Sequence, residues 1–280
     1  MKKSLIILTI FTIFMLLGCE ESSTESESES QIMFVYAYHS NSYWDNETDE
    51  EVEIENTQAW GVVFADPIPS FDYLKLGNEI SNWHEYYPGY IAFGEDLRIT
   101  NNFHPINVEV KTSAGTVKGN ISLQDTIDSI NLSTYESLDL GESFTISWTG
   151  SNADFYLVYC DYEWKDNNGT WHYTDLDTFV TGNSVTYPGT IFIHNGEIDY
   201  IRVYPYNGPL PKEGAIGNMT GDGSGFLYYE RSSESGRYTE DIVVGTGFNK
   251  VLGKYSSPKY SIKEIRNRTI KNIKEKIGLL

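Results

Sequence analysis

The chain has 280 residues, with 40 acidic against 20 basic side chains and a net charge of −20. Its 21 Tyr, 13 Phe and 6 Trp make 14% of the sequence. So acidic a balance disfavours nucleic acid and anionic lipid as ligands and suits cations, neutral glycans or basic partners. The charge is segregated: residues 20–230 carry a net −28 and residues 231–280 a net +6. Length alone allows two domains of ordinary size, and the Tyr, Thr, Asn, Asp and Gly usage points to an all-β fold.

Met1-Lys2-Lys3 opens the chain on a positive note, and an uncharged run from Leu5 to Leu17 follows. That run is shorter than the roughly 20 residues a membrane-spanning helix needs, so residues 1–18 are read as a secretory signal peptide. The ending Leu16-Leu17-Gly18-Cys19 resembles the lipobox of bacterial lipoproteins. The resemblance implies that Cys19 is the lipid attachment site (palmitate among its acyl chains) and that the protein is membrane-anchored in a bacterial cell envelope, at the outer membrane or cell surface. Residues 19–31 form an acidic Ser/Glu tether. Glu20 to Ser30 hold no apolar residue, too little to offset the entropy of ordering. Cys160 is the only other cysteine, and its apolar neighbours make it a small buried hydrophobe.

From Ile32 onward, short runs of β-branched and aromatic residues alternate with turn signals, the spacing of sandwiches. A first sandwich is predicted over residues 32–124, with strands at 32–39, 51–65, 71–76, 89–94, 106–112 and 116–123. Ser113-Ala114-Gly115 closes a hairpin between the last two. The alternation of Val108 and Val110 with Asn107, Glu109 and Lys111 predicts one wet face. A connection at 123–129 leads to a second sandwich over residues 125–230.

In that second unit "LGESFTISWTG" resembles strand B of a fibronectin type III or similar immunoglobulin-like domain, with Trp148 as core tryptophan. "FYLVYCDYEW" fits strand C, and "YPGTIFIHNGEIDYIRVYPYNG" is similar to the E–F corner and strand F. The resemblance implies a corner tyrosine at Tyr200, with Tyr187 as its rival, and an exit turn at Asn207-Gly208. "GFLYYE" (225–230) is taken as the last strand. The fold expectation is two tandem β-sandwich domains, immunoglobulin/fibronectin-III-like, plus a C-terminal amphipathic basic helix.

The helix is expected within the basic tail 231–280, at about 261–278. Ile262, Ile265, Ile273 and Ile277 fall near helical spacing among Lys and Arg, and Ser261 with Glu264 makes a capping-box pattern. Docking on the acidic body, on a membrane surface or on a partner are the open alternatives. "GFNKVLGK" (247–254) lacks the spacing and the Ser/Thr of a phosphate loop. "GDGSG" (221–225) reads as loop.

Nothing in the sequence forms a catalytic motif, so the expectation is a non-catalytic binding or adhesion protein. Its ligand is extracellular, a glycan or a peptide, because aromatic faces flanked by polar groups suit stacking on sugar rings among other contacts. The candidate ligand-binding residues are Trp164, Trp171, Tyr173, Tyr43 and Trp44. Asp161, Glu163 and Asp166 are candidates for Ca²⁺, a cation that takes clustered oxygens; otherwise no cofactor is expected. The alternative function is a structural or accessory subunit of a cell-envelope complex, docking through the basic helix.

Overall fold

The computed structural model describes residues 31–40, 43–45, 50–52, 55–94, 97–100, 105–122, 125–231, 236–238, 240–246 and 262–279, with backbone alone for 40, 43–45, 50–52 and 262–266. Cys19, residues 20–30 of the tether, Ser261 and the "GFNKVLGK" segment lie outside the described residues. Gln31, expected as the last tether residue, is instead buried just before the first strand, its Oε1 accepting from Thr112 Oγ1 at 2.6 Å.

The protein is all-β, with the single helix Ile262–Lys276 among the described residues. Its centre is a 13-stranded sheet whose main path runs Ser137–Leu138, Ile242–Val244, Gly196–Asn207, Ser224–Arg231, Ile32–Ser40, Asn56–Phe64, Tyr90–Phe93, His84–Tyr87. Phe155–Lys165 flanks Gly196–Asn207 along most of its length. Strands of this sheet read as nearly unbroken apolar runs, and the reason is visible in Ile32–Ser40. Met33, Val35 and Ala37 enter one core while Phe34 and Tyr36 enter another, and all five are fully buried. A strand covered on both faces loses the polar alternation of a half-solvated one.

Two smaller sheets cover one face of the central sheet. The five-stranded sheet, ordered Thr220–Gly221, Gly115–Ile121, Ile106–Thr112, Phe71–Leu76, Glu79–Ser81, packs Leu74, Val108, Val110 and Val117 against Met33, Val35, Val63 and Leu227. The three-stranded sheet, ordered Ser129–Leu132, Phe144–Thr149, Ser184–Tyr187, packs Ile146 and Trp148 against Val158, Ile198 and Val203. Trp148 is 1% exposed and meets Tyr156 edge-on at 5.0 Å. Cys160, a buried free thiol, sits in the same core.

The two halves are joined by a strand the sequence reading assigns to the second. Ser224–Arg231 runs parallel to Ile32–Ser40 over eight residue pairs and meets Gly196–Asn207 over two. Leu227 and Tyr229 fill the first core. Parallel pairing between segments so far apart in the chain leaves no local signal. The seam is also polar inside: Tyr36 donates to Glu230 Oε2, Tyr206 donates to the same oxygen at 2.9 Å, and the two phenol oxygens stand 3.1 Å apart. Glu230 is 3% exposed, so these hydroxyls replace the water its carboxylate has lost.

The opposite face of the central sheet is aromatic, and the helix lies across it. Phe34, Tyr36, Phe155, Tyr159, Tyr204, Tyr206 and Tyr228 form the floor, and Ile270 and Ile273 are buried upon it. Each isoleucine contributes about 1.5–3 kcal/mol by leaving water. Lys274 Nζ lies 5.0 Å from the Phe34 ring centre, and Arg268 crosses Tyr159 at 4.5 Å. The helix of the basic tail therefore docks on the body of its own chain. Of the four isoleucines the sequence reading picks, Ile273 and Ile277 pack here and the side chains of Ile262 and Ile265 lie outside the described residues; the structure adds Ile270.

Tyr200 is not a corner residue. It occupies a β-bulge, where Tyr159 pairs with Arg202 and Asp161 with Asp199, and its φ of 49° is the left-handed value such a bulge imposes. Its ring is packed under the helix side beside Tyr159 at 5.6 Å. Tyr187 instead donates to the backbone of Leu176 at 2.6 Å.

Candidate functional site

The outer face of the five-stranded sheet carries the polar half of each alternating strand. Register places three rungs there. Tyr73, Lys111 and Thr116 stand abreast, then Lys75, Glu109 and Lys118, then Asn107 beside Asn120. The valines between them point into the core, so the alternation read from the sequence fixes this face directly. A cleft of about 560 Å³ opens over the second and third rungs, bordered by Asn78, Asn218 and Thr220.

Most of these groups are already oriented. Glu109 accepts from Tyr73 at 2.6 Å through Oε1 and meets Lys118 Nζ at 3.0 Å through Oε2. The Tyr73 hydrogen bond, then that of Lys118, holds the Glu109 carboxyl below its ordinary range, and the same bond raises the Tyr73 phenol. Lys111 pairs with Asp72 at 3.8 Å and lies 5.9 Å from the Tyr73 ring centre. Lys75 stands beside Glu109, both of whose oxygens already have partners. The amide of Asn218 is held by the backbone of Leu227, at 2.9 and 2.8 Å. Asn107 and Asn120, both exposed, offer donors and acceptors to the cleft.

The aromatic candidates separate. Trp164 is half-buried, stacked with Tyr162 at 5.1 Å and with His172 and His194 at 5.3 Å each. It belongs to the rim of the second core. Trp171 and Tyr173 are 43% and 48% exposed and share one face of the strand Trp171–Asp175, with Lys165 5.6 Å from the Trp171 ring centre. Tyr43 and Trp44 fall on a two-stranded sheet, Tyr43–Asp45 with Glu50–Val52; their side chains lie outside the described residues.

The calcium candidates do not converge. Asp166 is engaged in its own turn, accepting from the backbone of Asn168 and Thr170 at 2.9 Å and standing 3.2 Å from His172 Nε2. Asp161 accepts from Tyr159 at 3.0 Å under the helix side of the sheet. Glu163 stands further along the same strand, opposite Glu197. Among the described residues no three His, Cys, Asp or Glu side chains come together as metal ligands do.

One cluster escapes the sequence reading. Asp161 faces Asp199 on one neighbouring strand and Asp175 on the other, and like charges placed opposite one another destabilise a sheet. Asp161 and Asp199 are 2% and 7% exposed, each with its Oδ1 lacking a hydrogen-bond partner. Burial, then the neighbouring Asp175 carboxyl, pushes Asp161 up to about 7. Burial, then the charges of Glu163 and Asp161, pushes Asp199 up to about 8. Arg268 of the helix answers this charge, pairing with Asp175 and Asp177 at 3.0 Å each. Perturbed acids often mark catalytic sites, but these two are sealed from any substrate in this conformation. Only Asp161 and Glu163 stand out as candidates in the sequence, because the cross-strand partners are set by register.

No known family model matches the chain, and no curated protein matches it.

Proposed function

We propose that this is a lipid-anchored, extracytoplasmic bacterial binding protein, non-catalytic, that holds a polyhydroxylated ligand such as a glycan in the cleft on the outer face of its five-stranded sheet. The observation that carries it is the cleft itself, a concave surface on the five-stranded sheet with side-by-side exposed amides at Asn107 and Asn120. Amides offer paired donors and acceptors of the kind that vicinal hydroxyls can use. A site built on strands is also better positioned than one on loops.

The remaining parts of the reading have separate supports. Lipidation at Cys19 rests on the lipobox pattern, and the acidic tether would carry the body clear of the membrane. The fibronectin-III-like assignment of the second unit gains support from its pairing: 129–132, 144–149 and 184–187 in one sheet, with 155–165, 196–207 and 242–244 in the other. Docking of the helix on its own sheet favours ligand binding over the envelope-subunit alternative, since its buried isoleucines already have partners.

The test is a glycan array probed with the full chain in detergent, alongside an Asn107→Ala/Asn120→Ala variant and Trp171→Ala. Selective binding that is lost in the double variant and kept in Trp171→Ala supports the cleft. Binding lost in Trp171→Ala alone would place the site on the aromatic strand, and no binding by any form would remove the glycan reading.

A further inference from the structure

The acidic body concentrates its few cations in one place. Residues 20–230 contain seven basic side chains, and three of them, Lys75, Lys111 and Lys118, stand on the outer face of the five-stranded sheet. Lys75 and Lys118 line the cleft with Glu109 between them. That carboxylate is a fixed part of the rung. Tyr73 holds one oxygen and Lys118 the other, so the rung carries two ammonium groups against one carboxylate. Elsewhere the body repels anions over distances of about a Debye length, roughly 8–10 Å at ordinary ionic strength. A rung with one positive charge in excess, set in a concave surface, offers an anion a local counter-charge that the rest of the body lacks.

The next rung differs in chemistry. Asn107 and Asn120 are neutral, exposed and adjacent, with Asn78 and Thr220 at the margins of the same cleft. Adjacent positions on neighbouring strands are roughly 5 Å apart, about the width of one sugar ring. A ligand spanning both rungs would meet a cationic position and a hydroxyl-binding position in succession.

We propose that the cleft selects a carboxylate-bearing, polyhydroxylated ligand, an acidic oligosaccharide of the uronate type, with Lys75 and Lys118 holding the carboxylate and the Asn107 and Asn120 amides holding the hydroxyls. This rests on the glycan reading of the cleft and names its ligand class. Lys75 is the principal discriminator, because Glu109 is already satisfied without it. The protein's overall negative charge then works as a filter, rejecting anions that do not also satisfy the amide rung.

The probes are trimannuronate and mannotriose, matched in ring stereochemistry and length and differing in the carboxylates. Each is titrated calorimetrically into the full chain in detergent, with Lys75→Gln, Lys118→Gln and Lys75→Arg, folding being checked by circular dichroism. Trimannuronate is expected to bind more tightly than mannotriose and to weaken with added salt. Each Lys→Gln change should weaken it about two- to five-fold, the size of an exposed ion pair, while Lys75→Arg retains binding and mannotriose is unaffected. Equal binding of the two sugars, or Lys→Gln variants as good as the parent, would overturn the acidic-ligand proposal and leave the cleft a neutral glycan site. No binding of either sugar, with the array also blank, would remove the glycan reading and the proposal together.

Discussion

Replacing Asp199 by Asn should make the protein more stable than the parent, by an amount that grows with pH. Asp161 and Asp199 oppose each other in the sheet, almost fully buried, and keep their protons up to about 7 and about 8. In an unfolded chain an aspartate titrates near 3.9. Between those limits the folded protein holds protons that the unfolded chain has released. Stability supplied by the neutral acids is therefore full below about pH 4 and is lost as pH rises toward 7 and 8. The slope is at most about 1.4 kcal/mol per pH unit for each group. A neutral amide in place of the Asp199 carboxyl carries no such penalty, and its NH₂ can donate to the unpartnered oxygen of Asp161. Between pH 5 and 7 the variant should gain about 1.5–3 kcal/mol on the parent, the lower figure allowing for relaxation around the charge. Urea unfolding at pH 5, 6 and 7, with stability taken by linear extrapolation, measures it directly. A difference that stays constant within about 0.3 kcal/mol across that range would refute the reasoning.

Ile273→Ala removes a fully buried anchor of the helix and should cost about 2–5 kcal/mol in the same unfolding assay; a loss below about 1 kcal/mol would mean the helix is not docked as described. Arg268→Ala strips the counter-charge from Asp175 and Asp177. Burial already raises Asp177 to about 6 against the pull of Arg268, so losing the arginine lifts it further, and the destabilisation should be larger at pH 8, about 1–3 kcal/mol, than at pH 5. Trp164→Ala should cost about 2–4 kcal/mol because its stacked partners lose their contacts, whereas Trp171→Ala should change stability by less than about 1 kcal/mol. Equal effects of the two tryptophans on thermal unfolding would contradict the separation of core rim from surface.

The strands are legible in the sequence wherever their pattern is local. Val108 and Val110 alternate with Asn107 and Glu109, and the structure places the first pair in the core and the second on the wet face. The helix is legible because isoleucines recur at its own period, although Ile270 does not stand out among them. Trp148 alternates with Phe144 and Ile146 along one face of its strand, and all three enter the second core. What cannot be read is whatever depends on register between distant segments. Ser224–Arg231 looks like a second-unit strand by position, and it does touch Gly196–Asn207, yet most of its length pairs with Ile32–Ser40. Asp161 and Asp199 stand far apart in a sequence full of acids, so nothing local marks them as neighbours. The cleft is hidden for the same reason: Lys75, Glu109 and Lys118 are ordinary surface charges until three strands bring them abreast. An aromatic side chain in a polar run need not be a surface ligand group: Trp164 stacks with two histidines as packing.

Hydrogen–deuterium exchange on the full chain, with and without saturating trimannuronate, tests the ligand site most directly. Binding in the cleft should slow exchange in the segments around 73–78, 106–112 and 115–121 and leave 161–175 unchanged. Protection confined to 161–175, with the five-stranded sheet exchanging as before, would contradict the assignment and move the site to the aromatic strand.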